Sequence, residues 1–180
     1  VAALERGLHV YLEKPPAATV QEIDRMIEAE RRTGRMVCLG FQAIFSESIN
    51  LLRRRIGEGA FGRVGRLRTW ALWPRPDAYY ARNEWAGRLR YRGRWVLDGP
   101  SNNALAHQTA NLLYLAAARE RIFATPTRVR AEIYHAREID GEDTAAIEVA
   151  TEAGPDCYFI ASHSSDAQAG PWIEIDAEKA

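Results

Sequence analysis

Residues 7–15, with the sequence GLHVYLEKP, contain the pattern that decides the fold. Residues 2–6 in front of them have the composition of a helix end, and Gly7 follows as its stop. Residues 9–12 are a short apolar run typical of a buried strand, and the charged pair Glu13 and Lys14 comes directly after it. A helix that leads straight into a buried strand predicts an α/β sheet.

The segment after this strand predicts a second helix with clear ends. Thr19 and Glu22 have the spacing of a capping box, and Gly34 stands where such a helix would stop. Residues 36–41 form a second apolar run with the character of a buried strand. Two strands joined through a helical crossover of this length predict a right-handed βαβ unit with parallel strands, at one edge of a doubly wound sheet. The inward stripe of the helix is expected to be Val20, Ile23 and Ile27.

The periodicity changes after the next helix, which is predicted over 46–56 with Ile49, Leu52 and Ile56 turned inward. Apolar residues then alternate at a period of two, which predicts antiparallel strands. These strands are expected over 64–73, 128–136, 145–151 and 157–163, with one long helix over about 102–119 after the first of them. In the second strand the core-facing residues are expected to be Val129, Ala131 and Ile133, which predicts a sheet with one buried face.

Charge and composition exclude several classes of protein. Lysine plus arginine equals aspartate plus glutamate at 24 each, so no net field attracts nucleic acid or a membrane surface. No apolar run is long enough to span a bilayer, and no metal-ligand spacing is present. Cys38 and Cys157 lie in apolar, strand-like runs, which favours reduced, buried thiols over a disulfide and predicts a cytoplasmic location. The chain opens at Val1 inside a helix-like pattern without a capping residue, and we expect it to be truncated at both ends.

Lys14 is the first candidate for chemistry. In open α/β sheets ligands bind beyond the carboxyl ends of the strands, which is where Glu13 and Lys14 stand. Pro15 disfavours the helical region at Lys14 and keeps the turn extended, which suits a lysine that must be aimed. The alternative is a surface lysine that merely ends a strand.

His107 is the second candidate. Within the predicted helix Asn103, His107 and Asn111 recur every four residues, which predicts one polar stripe. An amide one turn away can orient the imidazole so that its other nitrogen faces a ligand. The alternative is a histidine whose hydrogen bonds are satisfied within a core between domains.

Residues 70–89, WALWPRPDAYYARNEWAGRL, are rich in aromatic side chains and arginine without a clean period. Rings that stack on sugar faces and arginines that bond hydroxyls would produce this composition, and so would a loop packed over a sheet. The candidate substrate contacts in this stretch are Tyr80, Arg82 and Trp85.

These segments, in this order, resemble the glucose-fructose oxidoreductase/inositol dehydrogenase/rhizopine catabolism (Gfo/Idh/MocA) family. The resemblance runs through the EKP tripeptide, the CLGFQ strand, the GEGAFGRV segment, the YYARNEWAGRL stretch and the NNALAHQTANLL helix. It implies a fold of two kinds, α/β plus α+β. Residues 1–45 would be the C-terminal edge of a Rossmann-type domain, and residues 46–180 a mostly antiparallel sheet domain with a long helix, incomplete at its C-terminus.

The resemblance also implies an activity and a site. An NAD- or NADP-dependent oxidoreductase that moves a hydride between nicotinamide and a sugar or polyol is expected, acting as a homo-oligomer through the C-terminal sheet. Lys14, His107 and Asn103 map to the catalytic positions, and Glu13, Lys14 and Pro15 to the cofactor side. The family's GxGxxG turn is not found in this sequence.

Asn103 is a second departure, because many members of the family have aspartate there. Asparagine cannot take a proton, so proton transfer falls to His107 with help from Lys14. Loss of the acid leaves open a non-catalytic carbohydrate-binding or regulatory homologue, which retention of Lys14 and His107 argues against. A small stand-alone domain without a ligand is also open, although its half-built parallel sheet would expose an edge.

Overall fold

The computed structural model describes residues 1–117, 121–152 and 154–179. The α-helices are α1 (Ala2–Glu5), α2 (Val20–Thr33), α3 (Glu47–Gly57), α4 (Asp77–Tyr80) and α5 (Ala106–Ala116), with a 3-10 turn at Gln42–Phe45 and a π-helical turn at Pro100–Ala104. The strands are β1 (Val10–Leu12), β2 (Val37–Leu39), β3 (Val64–Leu72), β4 (Arg90–Tyr91), β5 (Arg94–Trp95), β6 (Pro126–Tyr134), β7 (Thr144–Thr151), β8 (Asp156–Ser162) and β9 (Ala169–Ala177).

The first unit is the predicted parallel pair with its crossover helix. Strands β1 and β2 pair in parallel and α2 connects them. Thr19 and Glu22 form a capping box at the start of α2, and Gly34 ends the helix at a φ of 64°. The left-handed region favours glycine, so both helix ends follow from the sequence.

The predicted inner stripe of α2 is wrong in two of its three positions. Val20 is 67% exposed and Ile27 39% exposed, whereas Ala29 is fully buried. The reason is that α2 packs against the short helix α1, whose Leu4 is also fully buried. The buried strip is therefore narrower than the stripe that helical periodicity alone predicts.

The second unit is a five-stranded sheet in the order β6-β7-β8-β3-β9. Three of its four pairings are antiparallel, as predicted, but β3 and β8 run parallel. The antiparallel arrangement that the period of two predicts for these strands is wrong at this pair, whereas the mostly antiparallel sheet is confirmed. A long connection that includes α5 and the four strands β4 to β7 separates β3 from β8, and a connection of that length permits parallel pairing.

Helix α5 covers one face of this sheet and supplies the centre of the core. Leu112 and Leu115 of α5 lie at 1% exposure against Leu67 of β3 and Phe159 of β8. Ile49, Leu52 and Ile56 of α3 pack against the same cluster, which confirms the predicted inner face of that helix. The predicted fold class is confirmed by this mixed sheet with its helix layer.

Strand β6 departs from the prediction of one buried face. All nine of its residues are exposed, and Val129 and Ile133 are each 61% exposed. Val129 is paired with Val149 of β7, which is buried. The alternation is therefore real, but β6 is the edge strand and lies beyond the area that α5 covers.

The two cysteines also differ from expectation. Cys157 of β8 is buried, and burial raises the pKa of its thiol to about 12. Cys38 of β2 is exposed, so the prediction of two buried thiols is wrong for Cys38. It pairs with Tyr11, which is 65% exposed, on a face of the two-stranded sheet that faces solvent in this structure.

Candidate active site

Lys14 lies at the carboxyl end of β1 and points toward the second unit. Its Nζ donates to the main-chain oxygen of Asn103 at 2.6 Å and to Asn103 Oδ1 at 3.1 Å. The Lys14–Pro15 peptide bond is cis. The Glu13 carboxylate lies against Gly40. A Cβ added at Gly40 would come within 3.1 Å of Glu13 Oε1. Both members of the charged pair lie close enough to His107 to affect its pKa.

Asn103 does not stand on the helix that contains His107. It belongs to the π-helical turn at Pro100–Ala104, and α5 begins only at Ala106. Leu105 lies between them at a φ of −116°, which breaks the helical path. The predicted stripe of three polar side chains on one helix is wrong at Asn103, because the turn redirects that side chain toward Lys14. The predicted C-terminal end of this helix, at residue 119, lies outside the described residues.

Asp98 is the residue that sequence reasoning missed. It is 4% exposed, its Oδ1 accepts from Asn103 Nδ2 at 2.7 Å, and its Oδ2 accepts from the Gly87 amide at 2.8 Å. A carboxylate is thus present behind the amide, although none occupies position 103 itself. The available signal was an isolated aspartate directly before Gly99 and Pro100 at the start of a helical pattern. Lys14, Asn103 and Asp98 form one chain of hydrogen bonds, called the lysine relay below.

A second carboxylate holds the turn that presents Asn103. Glu142 accepts from the Ser101 amide at 3.2 Å and from the Ser101 hydroxyl at 2.6 Å. Gly99 permits this approach, since a Cβ there would lie 2.2 Å from the Glu142 carboxylate. A carboxylate at the start of a helical turn satisfies amides that have no partner within the turn. The relay therefore rests on a backbone fixed by partly buried polar contacts.

His107 begins the first turn of α5 and is held mainly by packing. Its ring lies edge-on to Phe41, with the centroids 5.8 Å apart. Its Nδ1 is buried and has no hydrogen-bond partner among the described residues. Asn111 Oδ1, one turn later, is also buried without such a partner. Burial lowers the pKa of His107, the Lys14 cation lowers it further, and Glu13 opposes both. The imidazole is therefore neutral at pH 7 and able to accept a proton.

A cleft of about 410 Å³ opens on the lysine relay. The predicted substrate residues are distributed unevenly around it. Trp85 lines the cleft, and the Arg82 guanidinium lies 5.5 Å from the Trp85 ring. Tyr80 instead lines a separate cleft with Asp77 and Arg137. The lining of the relay cleft consists of Lys14, Pro15, Trp85, Tyr91, Val96, Asp98 and Asn103.

Comparison with known proteins finds relatives for parts of the chain. The profile of the Gfo/Idh/MocA family, described as an oxidoreductase family with an NAD-binding Rossmann fold, matches residues 1–41. These 41 residues are thus similar to the Gfo/Idh/MocA family. Curated relatives match over a similar length, with 34% identity over 62 residues to D-glucoside 3-dehydrogenase of Escherichia coli and 39% over 64 residues to inositol 2-dehydrogenase of Salmonella typhimurium. These matches cover 34% and 35% of this chain and 18% and 19% of the relatives.

Solved structures extend the likeness to almost the whole chain. The WlbA dehydrogenase of Chromobacterium violaceum, solved with NADH and UDP-GlcNAcA, superposes with a TM-score of 0.81 at 26% identity over 98% of this chain. The Bordetella pertussis WlbA dehydrogenase gives a TM-score of 0.84 at 24% identity, also over 98% of this chain. The chain spans about half of each, 48% and 52% respectively.

Two kinds of site are not found in the part of the chain that the structure describes. No group of three or more His, Cys, Asp or Glu side chains there is placed to hold a metal ion. None of the helices described combines the length and hydrophobicity needed to cross a bilayer.

Proposed function

We propose that the natural protein containing this chain is an NAD- or NADP-dependent oxidoreductase that acts on a sugar or polyol. When bound, the nicotinamide supplies the hydride acceptor or donor for a hydroxyl or carbonyl carbon. The observation that supports this best is the lysine relay in an open cleft, with a neutral histidine within electrostatic reach of Lys14.

The roles of the residues follow from their charges. Oxidation of a hydroxyl requires removal of its proton, and His107, with its lowered pKa, is the base. Lys14 is the cation that stabilises negative charge on the same oxygen. Asn103 holds the ammonium by two acceptors, and Asp98 fixes the amide through its Nδ2. Asn103 therefore acts as a positioning residue for Lys14, and its assignment as a partner of His107 has no contact to support it.

The residues at the end of the parallel strands fit a dinucleotide cofactor. Strands β1 and β2 end at the same edge, and Gly40 after β2 leaves room there for the Glu13 carboxylate. Beside it an apolar cleft of about 350 Å³ is lined by Pro15, Pro16 and Phe41 from the first unit and by Ala106 and Ala110 from α5. Glu13, Lys14 and Pro15 would hold the nicotinamide end of the cofactor, in accordance with the ligand position beyond strand ends.

The substrate class rests on the cleft and on the relatives. Trp85 and Tyr91 offer aromatic surface within the relay cleft, and rings of this kind pack against sugar faces. The relatives are named for a glucoside and an inositol, both of which are polyhydroxylated. A sugar or polyol fits this lining better than an apolar alcohol, since Lys14, Asp98 and Asn103 are polar.

The experiment is a dehydrogenase assay on the full natural protein with NAD and NADP against a panel of sugars and polyols. We expect reduction of one cofactor with at least one substrate and its loss in His107→Asn. His135→Asn is the matched control, because His135 is exposed and directly follows the edge strand β6. Cofactor or sugar binding without turnover across the panel would favour the non-catalytic homologue instead.

We further infer the division of the chain and its assembly. Residues 1–45 would belong to the dinucleotide-binding domain and residues 46–180 to the substrate and oligomerisation domain. The sheet face opposite α5 exposes Trp172 at 49% and Ile160 at 44%, beside ion pairs such as Arg68 with Glu174 at 2.8 Å. Apolar residues among charges of both signs make this face self-complementary, so a second copy of the chain is its partner. A monomer by light scattering, unchanged by Trp172→Ser, would contradict this assembly.

A further inference from the structure

Five side chains between residues 73 and 85 form a ladder of alternating rings and guanidinium groups. Arg75 lies 4.3 Å from the Trp73 ring and 4.8 Å from the Tyr79 ring. The Arg82 guanidinium lies 3.5 Å from the centroid of the same Tyr79 ring and 5.5 Å from that of the Trp85 ring. Two cations are therefore held in fixed positions by three aromatic rings, which we call the arginine ladder.

The charges of the ladder are not neutralised by neighbouring carboxylates. Among the described residues neither Arg75 nor Arg82 has a carboxylate oxygen within ion-pair distance, whereas Arg88, Arg92 and Arg137 each have one. The Nε of Arg75 is buried without a hydrogen-bond partner. A guanidinium that is stacked on a ring keeps its edge N–H groups available, and these match a carboxylate or phosphate in a bidentate manner.

The ladder leads to the candidate active site. Its last ring, Trp85, lines the cleft that also contains Lys14. The hairpin β4–β5 lies at the same cleft through Tyr91 and adds Arg90, stacked on Trp95 at 3.6 Å and also without an ion pair among the described residues. Asp98 is the carboxylate in the lining, and its oxygens are engaged by Asn103 and Gly87. Arg82 and Arg90 therefore lie next to residues of the cleft lining, and neither forms an ion pair among the described residues.

We propose that the substrate is an anionic sugar derivative whose phosphate or carboxylate group binds Arg82. Arg75, which is stacked on the same Tyr79 ring, adds a second positive charge. Naming the anion as part of the substrate rests on the proposed function; binding of an anion at the ladder does not. A phosphate and a carboxylate group share the chemistry that Arg82 would recognise, because each is an oxyanion with at least two acceptor oxygens. A purely structural role of the ladder predicts no preference for charge.

Calorimetric titration of the full natural protein without cofactor tests this at constant ionic strength. The ligands are glucose, glucose 6-phosphate and glucuronate, and inorganic phosphate and acetate serve as competitors. We expect at least one charged sugar to bind roughly 10- to 100-fold more tightly than glucose, the range that a hydrogen-bonded charge pair provides. Preference for glucose 6-phosphate with competition by phosphate identifies a phosphate site, and preference for glucuronate with competition by acetate identifies a carboxylate site.

Variants at position 82 make the assignment specific. Arg82→Gln is expected to remove most of the preference, and Arg82→Lys to keep part of it because the charge remains. Arg55→Gln is the matched control, since Arg55 is exposed on α3 and distant in sequence from the ladder. Equal binding of glucose and both charged sugars, or an unchanged preference in a folded Arg82→Gln protein, would overturn the proposal. Anion binding without any turnover would leave it standing while contradicting the proposed dehydrogenase.

Discussion

Two polar clusters lie within electrostatic reach of Asp98, and they are built differently. In the lysine relay, Lys14, Asn103 and Asp98 are joined by hydrogen bonds of 2.6 to 3.1 Å. In the neighbouring group, Arg75 Nε, Tyr80 Oη and His163 Nε2 are all buried without a partner among the described residues. The Asp98 charge is one of several that act on Tyr80 and His163, and its own effect is to raise the pKa of each.

The difference shows in which cluster the positions of the side chains are fixed by the protein's own hydrogen bonds. A satisfied network fixes the position of its members, because leaving one buried partner unpaired costs about 1–3 kcal/mol. An unsatisfied group has no such constraint and is open to a water molecule or a ligand. The relay is therefore the rigid part of the site, and the group around Arg75 is the part whose hydrogen bonds are still available.

Lys14→Met removes the charge of the relay and keeps the length of the side chain. Turnover of the full natural protein should fall by roughly 100- to 1000-fold, the effect of losing a group that stabilises an oxyanion. Cofactor affinity should fall far less than turnover, because Glu13 and Pro15 remain at the nicotinamide end. Steady-state kinetics and a cofactor titration measure the two effects.

Lys179→Met is the control for that experiment. Lys179 is the other lysine of the chain and is exposed. A Lys14→Met protein with turnover within a few-fold of the parent would make Lys14 a surface lysine and end its catalytic assignment.

Asp98→Ala should be the most destabilising change in the relay. It removes the acceptor for both Asn103 Nδ2 and the Gly87 amide, so the free energy of unfolding should fall by about 2–5 kcal/mol. Urea denaturation measures the loss. Asp166→Ala, at an exposed position, should cost less than about 0.5 kcal/mol. Equal effects of the two changes would mean that Asp98 is not a structural acceptor.

Much of the fold was available from the sequence because local signals and tertiary contacts agree. The capping box at Thr19, the stop at Gly34 and the inner face of α3 depend on neighbours within one or two helical turns. The exposed face of β6 was not available, because periodicity shows that residues alternate but not that the helix layer ends before the edge strand. The parallel pairing of β3 with β8 likewise depends on contacts far apart in the chain.

The sequence predicted which residues belong to the site better than it predicted their hydrogen-bond partners. Lys14 and Trp85 do line one cleft, and each follows from its position after a strand or in an aromatic stretch. The partner of Asn103 could not be predicted, because a π-helical turn replaces the regular spacing that would have placed it beside His107. Asp98 was missed for the same reason, since its role depends on that turn and on the Gly87 amide.

His163 gives the unsatisfied cluster a pH dependence. Burial, followed by the Arg75 charge, lowers its pKa to about 4 from the ordinary 6.5. Because the unfolded chain takes up the proton first, stability is complete above pH 6.5 and is lost as the pH falls toward 4, by about 3 kcal/mol. His163→Gln should flatten this part of the stability profile, measured by urea denaturation at several pH values.

The control for the pH experiment is His135→Gln, which changes an exposed histidine and should keep the slope of the parent. An unchanged slope in His163→Gln would show that His163 is not protonated on unfolding within this range, and the account of its burial would be wrong.

Tyr80→Phe should have the smallest effect on stability. The hydroxyl of Tyr80 is buried without a partner, and burial raises its pKa to about 12. Removing an unsatisfied buried hydroxyl should change the free energy of unfolding by less than about 0.5 kcal/mol, or increase it slightly. A loss above about 1.5 kcal/mol would show that the hydroxyl does have a partner, such as a bound water, and that the contrast between the clusters is false.

The central claim is that Asn103 acts through Lys14, and a double-mutant cycle on turnover tests it most directly. Lys14→Met, Asn103→Ala and the double variant are compared with the parent in the full natural protein, with Gln21→Ala, at an exposed amide of α2, as the control. If Asn103 only positions Lys14, Asn103→Ala should lower turnover by about 10-fold in the parent and hardly at all in the Lys14→Met background. A similar loss in both backgrounds would contradict the relay and give Asn103 an independent role.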